Sequence, residues 1–359
     1  MFQNHLLKKN QNPVFILAAT LLMSSCMRST SLTVLQPAQF KVPEHISKVA
    51  VVDRSKPSNG WLNVLEGLFT GEAIGQDRRS REEAVMGLTN ALTRTPRFTV
   101  VNTGIELTGS KAGVNLPPPL EWREIERICA QYGADAVATI ESFDSDNAIN
   151  TRRVDEKKKN KEGKEYIETR YDSRMRTAVR MGWRLYDPKT RVILDEIVSD
   201  DFLERFASGR SERDAVSRLP HQVNVTRDVA FNVGLKYGAR IAPTYVRVTR
   251  QYYHKAKGYK DQMQQAVRYA QGGDWERSIG LWKNVEARAS KDNPKAAGRA
   301  AYNMAVAAEK NGNLDIALQW AQKSWNDYGN KKARNYIQII KQRQYDARKV
   351  EHQMPGKRV

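Results

Sequence analysis

Two thiols, five histidines and a run of arginines are the side chains here whose types could do chemistry. The histidines, His5, His45, His221, His254 and His352, are scattered, and none has the close partner that a metal site on one helix requires. No metal and no cofactor is therefore expected. Gly67, Gly71 and Gly75 suggest a phosphate loop, but no Gly-Lys-Ser or Gly-Lys-Thr follows them, so they read as surface loop and Glu72 and Asp77 as solvated acids. Cys129 lies in an amphipathic stretch, Glu124 to Ala130, with no histidine close in sequence, and reads as a buried structural thiol. With no convergent nucleophile and base, the chain is not expected to be an enzyme. Cys26 is different. It ends an apolar run, Val14 to Met23 and then Ser24-Ser25, that Lys8 and Lys9 precede and that is too short to remain across a bilayer, which is the pattern of a signal peptide.

Leu22-Met23-Ser24-Ser25-Cys26 resembles the lipobox of bacterial lipoproteins, departing only at Met23, where leucine is commoner. The resemblance implies cleavage before Cys26 and acylation of its thiol. Two or three acyl chains, at about 0.8 kcal/mol per buried methylene, form a lasting anchor. Residues 1–25 are then a leader and 26–46 a tether, with one candidate edge strand in Ser31 to Lys41 that Pro37 interrupts. An outer-membrane anchor is expected, and Met27-Arg28, which lacks the acidic cluster that surface-exported lipoproteins of some bacteria carry, favours the periplasmic side. Once Cys26 is acylated, Cys129 has no partner for an intrachain disulfide, so stability rests on packed cores. The formal charge of +19 falls by only two when Lys8 and Lys9 leave with the leader. Export removes nucleic acid from the candidate partners. Anionic lipid headgroups, lipopolysaccharide phosphates, peptidoglycan carboxylates and acidic faces of envelope proteins remain.

The elements that must carry these residues alternate. Lys48 to Val52 reads as a doubly covered strand, and Ser80 to Thr93 as a helix with Ser80 as N-cap and Glu83 as its capping partner. Phe98 to Val101 is a strand, Leu120 to Tyr132 a helix closed by Gly133, and Ala136 to Phe143 a third strand. From Ile167 to Leu185 the odd positions are largely apolar, while the even ones include Arg170, Arg174, Arg176, Arg180 and Arg184. A period of two sets these arginines on one face. With a turn at Pro188-Lys189, Val192 to Phe202 returns so that Arg176 faces Asp201, Arg180 faces Ile197 and Arg184 faces Ile193. Most of the ladder is thereby left unopposed, a candidate surface for an anionic partner. A helix from Glu212 to Tyr237 closes the layer. The lysines from Lys157 to Lys164 read as a solvated hairpin tip.

Ser47 to Val52, Thr95 to Val101, Gly133 to Val137 and the long hairpin together resemble the α/β domain of envelope proteins. These include the curli-secretion channel lipoprotein, the outer-membrane activator of penicillin-binding proteins and the N-terminal domain of the Tol propeller protein. Leu65 to Arg78 and Gln36-Pro37-Ala38 are similar to bacterial lipoproteins without assigned activity that join such a domain to tetratricopeptide repeats. Aligning Gly273 and Trp275 with Gly312 and Leu314, at an offset of 39 residues, brings Ala266 over Ala305 and Ser278 over Ala317. Small residues at a helix crossing and a glycine at the turn fit that repeat, although its usual period is 34. The expected class is α+β: an α/β-layered mixed-sheet domain over 47–250, helical repeats over 257–348 and a basic tail over 349–359. The function implied is an envelope adaptor or scaffold, with regulation of peptidoglycan synthesis or service to a secretion assembly as alternatives. Arg152, Arg153 and Lys157 to Lys159 in the hairpin would be expensive in lipid, which argues against a pore.

Overall fold

A computed structural model describes residues 27–56, 72–109 and 116–354, with the backbone alone over 72–77. The leader, Cys26, Gly67 and Gly71 lie outside these residues, as do the side chains of Glu72 and Asp77. The first part of the chain runs β1 (Met27–Gln36), β2 (Lys48–Lys56), α1 (Glu72–Thr93), β3 (Thr99–Thr108), α2 (Trp122–Tyr132), β4 (Ala136–Lys159), β5 (Glu165–Asp187), β6 (Val192–Gly209), α3 (Glu212–Ser217), α4 (Gln222–Ile241) and β7 (Thr244–Tyr253). The fold is α+β, and it divides into two units. Among the described residues, one holds Leu35–Tyr245 with Lys349–Met354, and the other holds Met27–Val34 with Val246–Arg348.

In the first unit β2 lies between β3 and β4, parallel to both, and β5 and β6 extend the sheet antiparallel, in the order β3-β2-β4-β5-β6. The continuous apolar run Val49 to Val52 suits a strand covered on both faces. On one face Leu88 and Leu92 of α1 and Val225, Val229 and Val233 of α4 bury Val51, Ile140, Met181 and Trp183. The ring of Trp183 stacks on Tyr237 at 4.5 Å. Helices α1 and α4 cross at glycines: a Cβ on Gly234 would fall 2.1 Å from the Ala84 carbonyl oxygen, and one on Gly87 2.1 Å from that of Phe231. On the other face Ile125, Ile128 and Cys129 of α2 cover Ala50, Val52 and Val137.

The structure corrects several expectations. Helix α1 starts at Glu72, so Ser80 is a buried helical residue and not its cap. The helix expected over Glu212–Tyr237 is broken into α3 and α4 around Pro220, whose ring cannot continue an α-helix. Within 27–46 the expected edge strand is present but starts earlier, at Met27, and ends at Gln36 before Pro37; it pairs with β7, alternation buries Leu32 and Val34, and Val42 and Ile46 join the sheet core, so the stretch is packed and not a loose tether.

The second unit adds α5 (Lys260–Gln271), α6 (Trp275–Ala289), α7 (Pro294–Lys310), α8 (Leu314–Asn326) and α9 (Lys331–Gln353) up to Arg348, the last residues of α9 being grouped with the first unit. Helix α5 with α6, and α7 with α8, form two hairpins. Gly273 and Gly312 take left-handed φ values of 89° and 80° at the two turns, a conformation glycine adopts without strain. Ala266, Ser278, Ala305 and Ala317 are all buried, and the Ser278 hydroxyl donates to the Ala266 carbonyl at 2.8 Å. Trp275 and Leu314, at the starts of α6 and α8, pack in the same core. Helix α7 is buried along its whole length from Ala296 to Glu309 apart from Arg299, because the end of β7 lies along it. The Asn303 amide clamps the main chain of Tyr253, accepting from its N–H and donating to its carbonyl, both at 2.7 Å. Arg299 donates to the Lys255 carbonyl and Asn293 to that of Lys257. The unit therefore begins before residue 257. The basic tail expected over 349–359 is helical to Gln353, with Val350 and Met354 buried; the Gln353 amide accepts from the Ala38 N–H at 2.8 Å and donates to its carbonyl at 3.0 Å.

Candidate interaction surface

The arginine ladder lies on β5 as its alternation requires, but its partners differ from the expected ones. The loop between β5 and β6 has four residues, not two: Asp187 faces Val192, the Asp187 carboxylate accepts from the Lys189 N–H and the Thr190 hydroxyl, and Arg191 turns the chain at a φ of 53°. A bulge follows opposite Leu185 and Tyr186. Together they slide β6 so that Arg184 faces Glu196, Arg180 faces Asp200 and Arg176 faces Glu204. Because side chains alternate, an odd shift in register exchanges the faces of the returning strand. The unopposed ladder is thus overturned.

The five arginines divide. Arg184 is buried, donating to Glu196 at 2.5 Å and to the Pro117 carbonyl at 2.7 Å, with Glu141 at 3.3 Å, so it cannot serve an outside partner. Around it Arg54, Tyr186 and Thr139 also donate to Glu141, a closed network that ties β2, β4, β5 and the Pro117-Pro118 segment together. Arg170 pairs with Glu156 at 2.8 Å and Asp172 at 3.2 Å. Arg174 pairs with Glu204, whose carboxyl it holds below the usual carboxylate range. The Arg176 guanidinium sits 4.5 Å above the Phe202 ring. Arg180 is flanked in register by Asp144 and Asp200.

From Arg174 to Arg180 this face is open, with Arg174, Arg176 and Arg180 exposed beside Phe202 and Phe206, the latter 70% exposed. A cleft of about 700 Å³ lies at its outer end, lined by Arg152, Arg170, Arg174, Asp172 and Phe206. The two phenylalanines were missed in the sequence, where only the even parity they share with Glu196, Asp200 and Glu204 of β6 marks them. The free edge of β6 runs beside them, since β6 is the last strand of its sheet.

Other candidates do not assemble into chemistry. Burial, with Asp135 and Asp187 nearby, pushes the Cys129 thiol up to about 11, so it stays protonated and is a poor nucleophile. His45 meets Asp187 at 3.1 Å, while the Ser47 hydroxyl donates to Asp135 instead of to that histidine. Among the described residues no group of His, Cys, Asp and Glu is placed to hold a metal, and no helix is long and apolar enough to cross a membrane.

Fold and surface define a two-unit α+β protein, a five-stranded mixed sheet with an open basic-aromatic face and a unit of helical hairpins. The chain belongs to the family described as Domain of unknown function (DUF8603), which matches residues 46–253. Residues 264–343 match Domain of unknown function (DUF6340). A comparison with curated proteins finds no match. Among solved structures the chain is similar to the PelC dodecamer from Paraburkholderia phytofirmans, at 12% identity over 60% of this chain and 99% of that one, with a TM-score of 0.23. It is also similar to TolB from Acinetobacter baumannii, at 13% identity and a TM-score of 0.20, covering 58% of this chain but only 31% of that one. A third likeness is to a putative neuraminyllactose-binding hemagglutinin homolog from Helicobacter pylori, at 12% identity and a TM-score of 0.22, over 55% of this chain and 81% of that one. At these scores the likenesses carry no functional argument.

Proposed function

We propose that this chain is a bacterial lipoprotein, anchored in the outer membrane through Cys26 and facing the periplasm, and that it works without catalysis as an adaptor. Its tetratricopeptide-like unit, two hairpins with α9 as cap, braces the chain, and the open face of β5 and β6 engages another envelope protein. The observation that carries this reading is the exposure of Phe202 and Phe206 among Arg174, Arg176 and Arg180. Aromatic and arginine side chains are enriched where protein surfaces bind one another, and a large ring left in water gains most by being covered. The inner face of the repeats, a usual peptide groove, is filled by the chain's own β7, which moves the partner to the sheet. A photo-crosslinking side chain at position 206 should capture a discrete envelope protein in cells, and one at Lys189 should not. Fatty-acid labelling should mark the wild type and not Cys26→Ser. Identical adducts at both positions, or labelling of the serine variant, would refute the respective half of the proposal.

A further inference from the structure

Beyond the last pair of β5 with β6, Tyr171 with Gly209, strands β4 and β5 continue alone as a two-stranded ribbon. From Val154 to Lys159 it projects about 17 Å at the rise of an extended strand. Its turn is braced. The Asn160 side chain accepts from the N–H groups of Glu162 and Lys164, the Asn160 N–H donates to the Lys164 carbonyl, and Gly163 takes a φ of 81°. At this tip Ile167 is 64% and Tyr166 47% exposed, opposite Lys157 and Lys158 in register. Neighbours on a strand point to opposite faces, so the ribbon shows an apolar side chain on both sides of its end. Lys157, Lys161 and Lys164 make no ion pair among the described residues, nor does Glu162, whereas Lys158 and Lys159 meet Glu168 and Glu165 and Glu156 meets Arg170, so the tip keeps a surplus of two unpaired positive charges.

The geometry points to a second membrane contact, in which this tip seats end-on in the headgroup layer of an anionic bilayer. A flat protein partner would cover one face of the ribbon. Only a medium that surrounds the end covers Ile167 and Tyr166 together. The lysines suit the same medium, because their stems lie along apolar surface while the ammonium groups stay among anionic headgroups, and tyrosine belongs at such a boundary. The charges keep the tip at the interface, short of the hydrocarbon. This contact is independent of the acyl anchor proposed above.

The test uses the full chain carrying Cys26→Ser, so that lipidation plays no part, with an environment-sensitive fluorophore on Lys161→Cys; Cys129 is buried and unreactive. Phosphatidylcholine vesicles containing phosphatidylglycerol should shift the emission to the blue at low salt, and vesicles of phosphatidylcholine alone should not. The same fluorophore on Lys189→Cys, at the other end of β5, should stay in water. Lys157→Gln with Lys164→Gln should weaken apparent binding roughly 25-fold, about fivefold for each lysine, and Ile167→Ser with Tyr166→Ser should abolish the shift. No shift at position 161 on anionic vesicles would overturn the proposal. So would an equal shift at 189, or a shift produced by inorganic phosphate or by peptidoglycan sacculi in the absence of vesicles.

Discussion

Glu309→Gln tests the energetics of the helical unit at their most concentrated point. The Glu309 carboxylate is fully buried and accepts from Arg250 at 2.8 and 2.9 Å, from Arg343 at 2.7 Å and from the Tyr336 hydroxyl. Burial works to raise its pKa, but the hydrogen bonds from Arg250 and Tyr336 and the charges of Arg250 and Arg343 outweigh it, leaving the carboxyl below its usual range. Removing one charge of a buried pair costs about 3–5 kcal/mol, since the other is left uncompensated. The side chains of Arg250 and Arg343 retain 13% and 21% exposure, so water recovers part of that cost and the low end applies, about 3 kcal/mol. At about 4 °C per kcal/mol for a unit of this size, the Tm should fall by roughly 12 °C at neutral pH, read from the helical circular dichroism signal. A depressed carboxyl pKa stabilises the fold above the unfolded value of about 4.3 and loses that contribution as the pH falls through the folded value. The gap between wild type and variant should therefore close toward acid. A Tm change below roughly 3 °C at neutral pH, or a gap that widens in acid, would refute the assignment of Glu309 as the charged hub.

Two further substitutions separate structural from exposed positions. Arg184→Gln should destabilise the sheet unit by about 3 kcal/mol in urea unfolding, because Glu141 loses a buried partner, while Arg180→Gln on the same strand face should stay within about 0.5 kcal/mol; equal midpoints would contradict the pairing of Arg184 with Glu196 and Glu141. Gly234→Ala should cost about 1–3 kcal/mol by forcing α1 and α4 apart, and Gly280→Ala, where a Cβ meets nothing within 4 Å, should be neutral or stabilising by up to about 1 kcal/mol; a stable Gly234→Ala protein would mean that the crossing is loose enough to admit a methyl group.

Much of the architecture could be read from periodicity. The alternation from Ile167 to Leu185 places the arginines on one face, and the small residues Ala266, Ser278, Ala305 and Ala317 are all buried in the helical unit. What periodicity could not supply was register. Pro188-Lys189 fits a two-residue turn, but Arg191 in a left-handed conformation and the bulge after Leu185 depend on tertiary context, and together they move every partner of the ladder. The candidate surface changes with it. Arg184 becomes an interior charge, and Phe202 and Phe206 emerge beside the remaining arginines. Long-range closure is equally hidden: nothing local in Met27–Gln36 announces that it will pair with β7, or in Gln353 that its amide will hold Ala38.

The clamp of Asn303 on Tyr253 makes the end of β7 a tethered ligand for its own helices. Its occupancy follows the arithmetic of chelation. A segment joined by a short linker behaves as though present at about millimolar concentration, so a free peptide of equal intrinsic affinity at micromolar concentration would displace it about once in a thousand. Extended peptides are thus held off these helices by effective concentration alone. Selection for a partner there would have to weaken the tether before it could improve the fit.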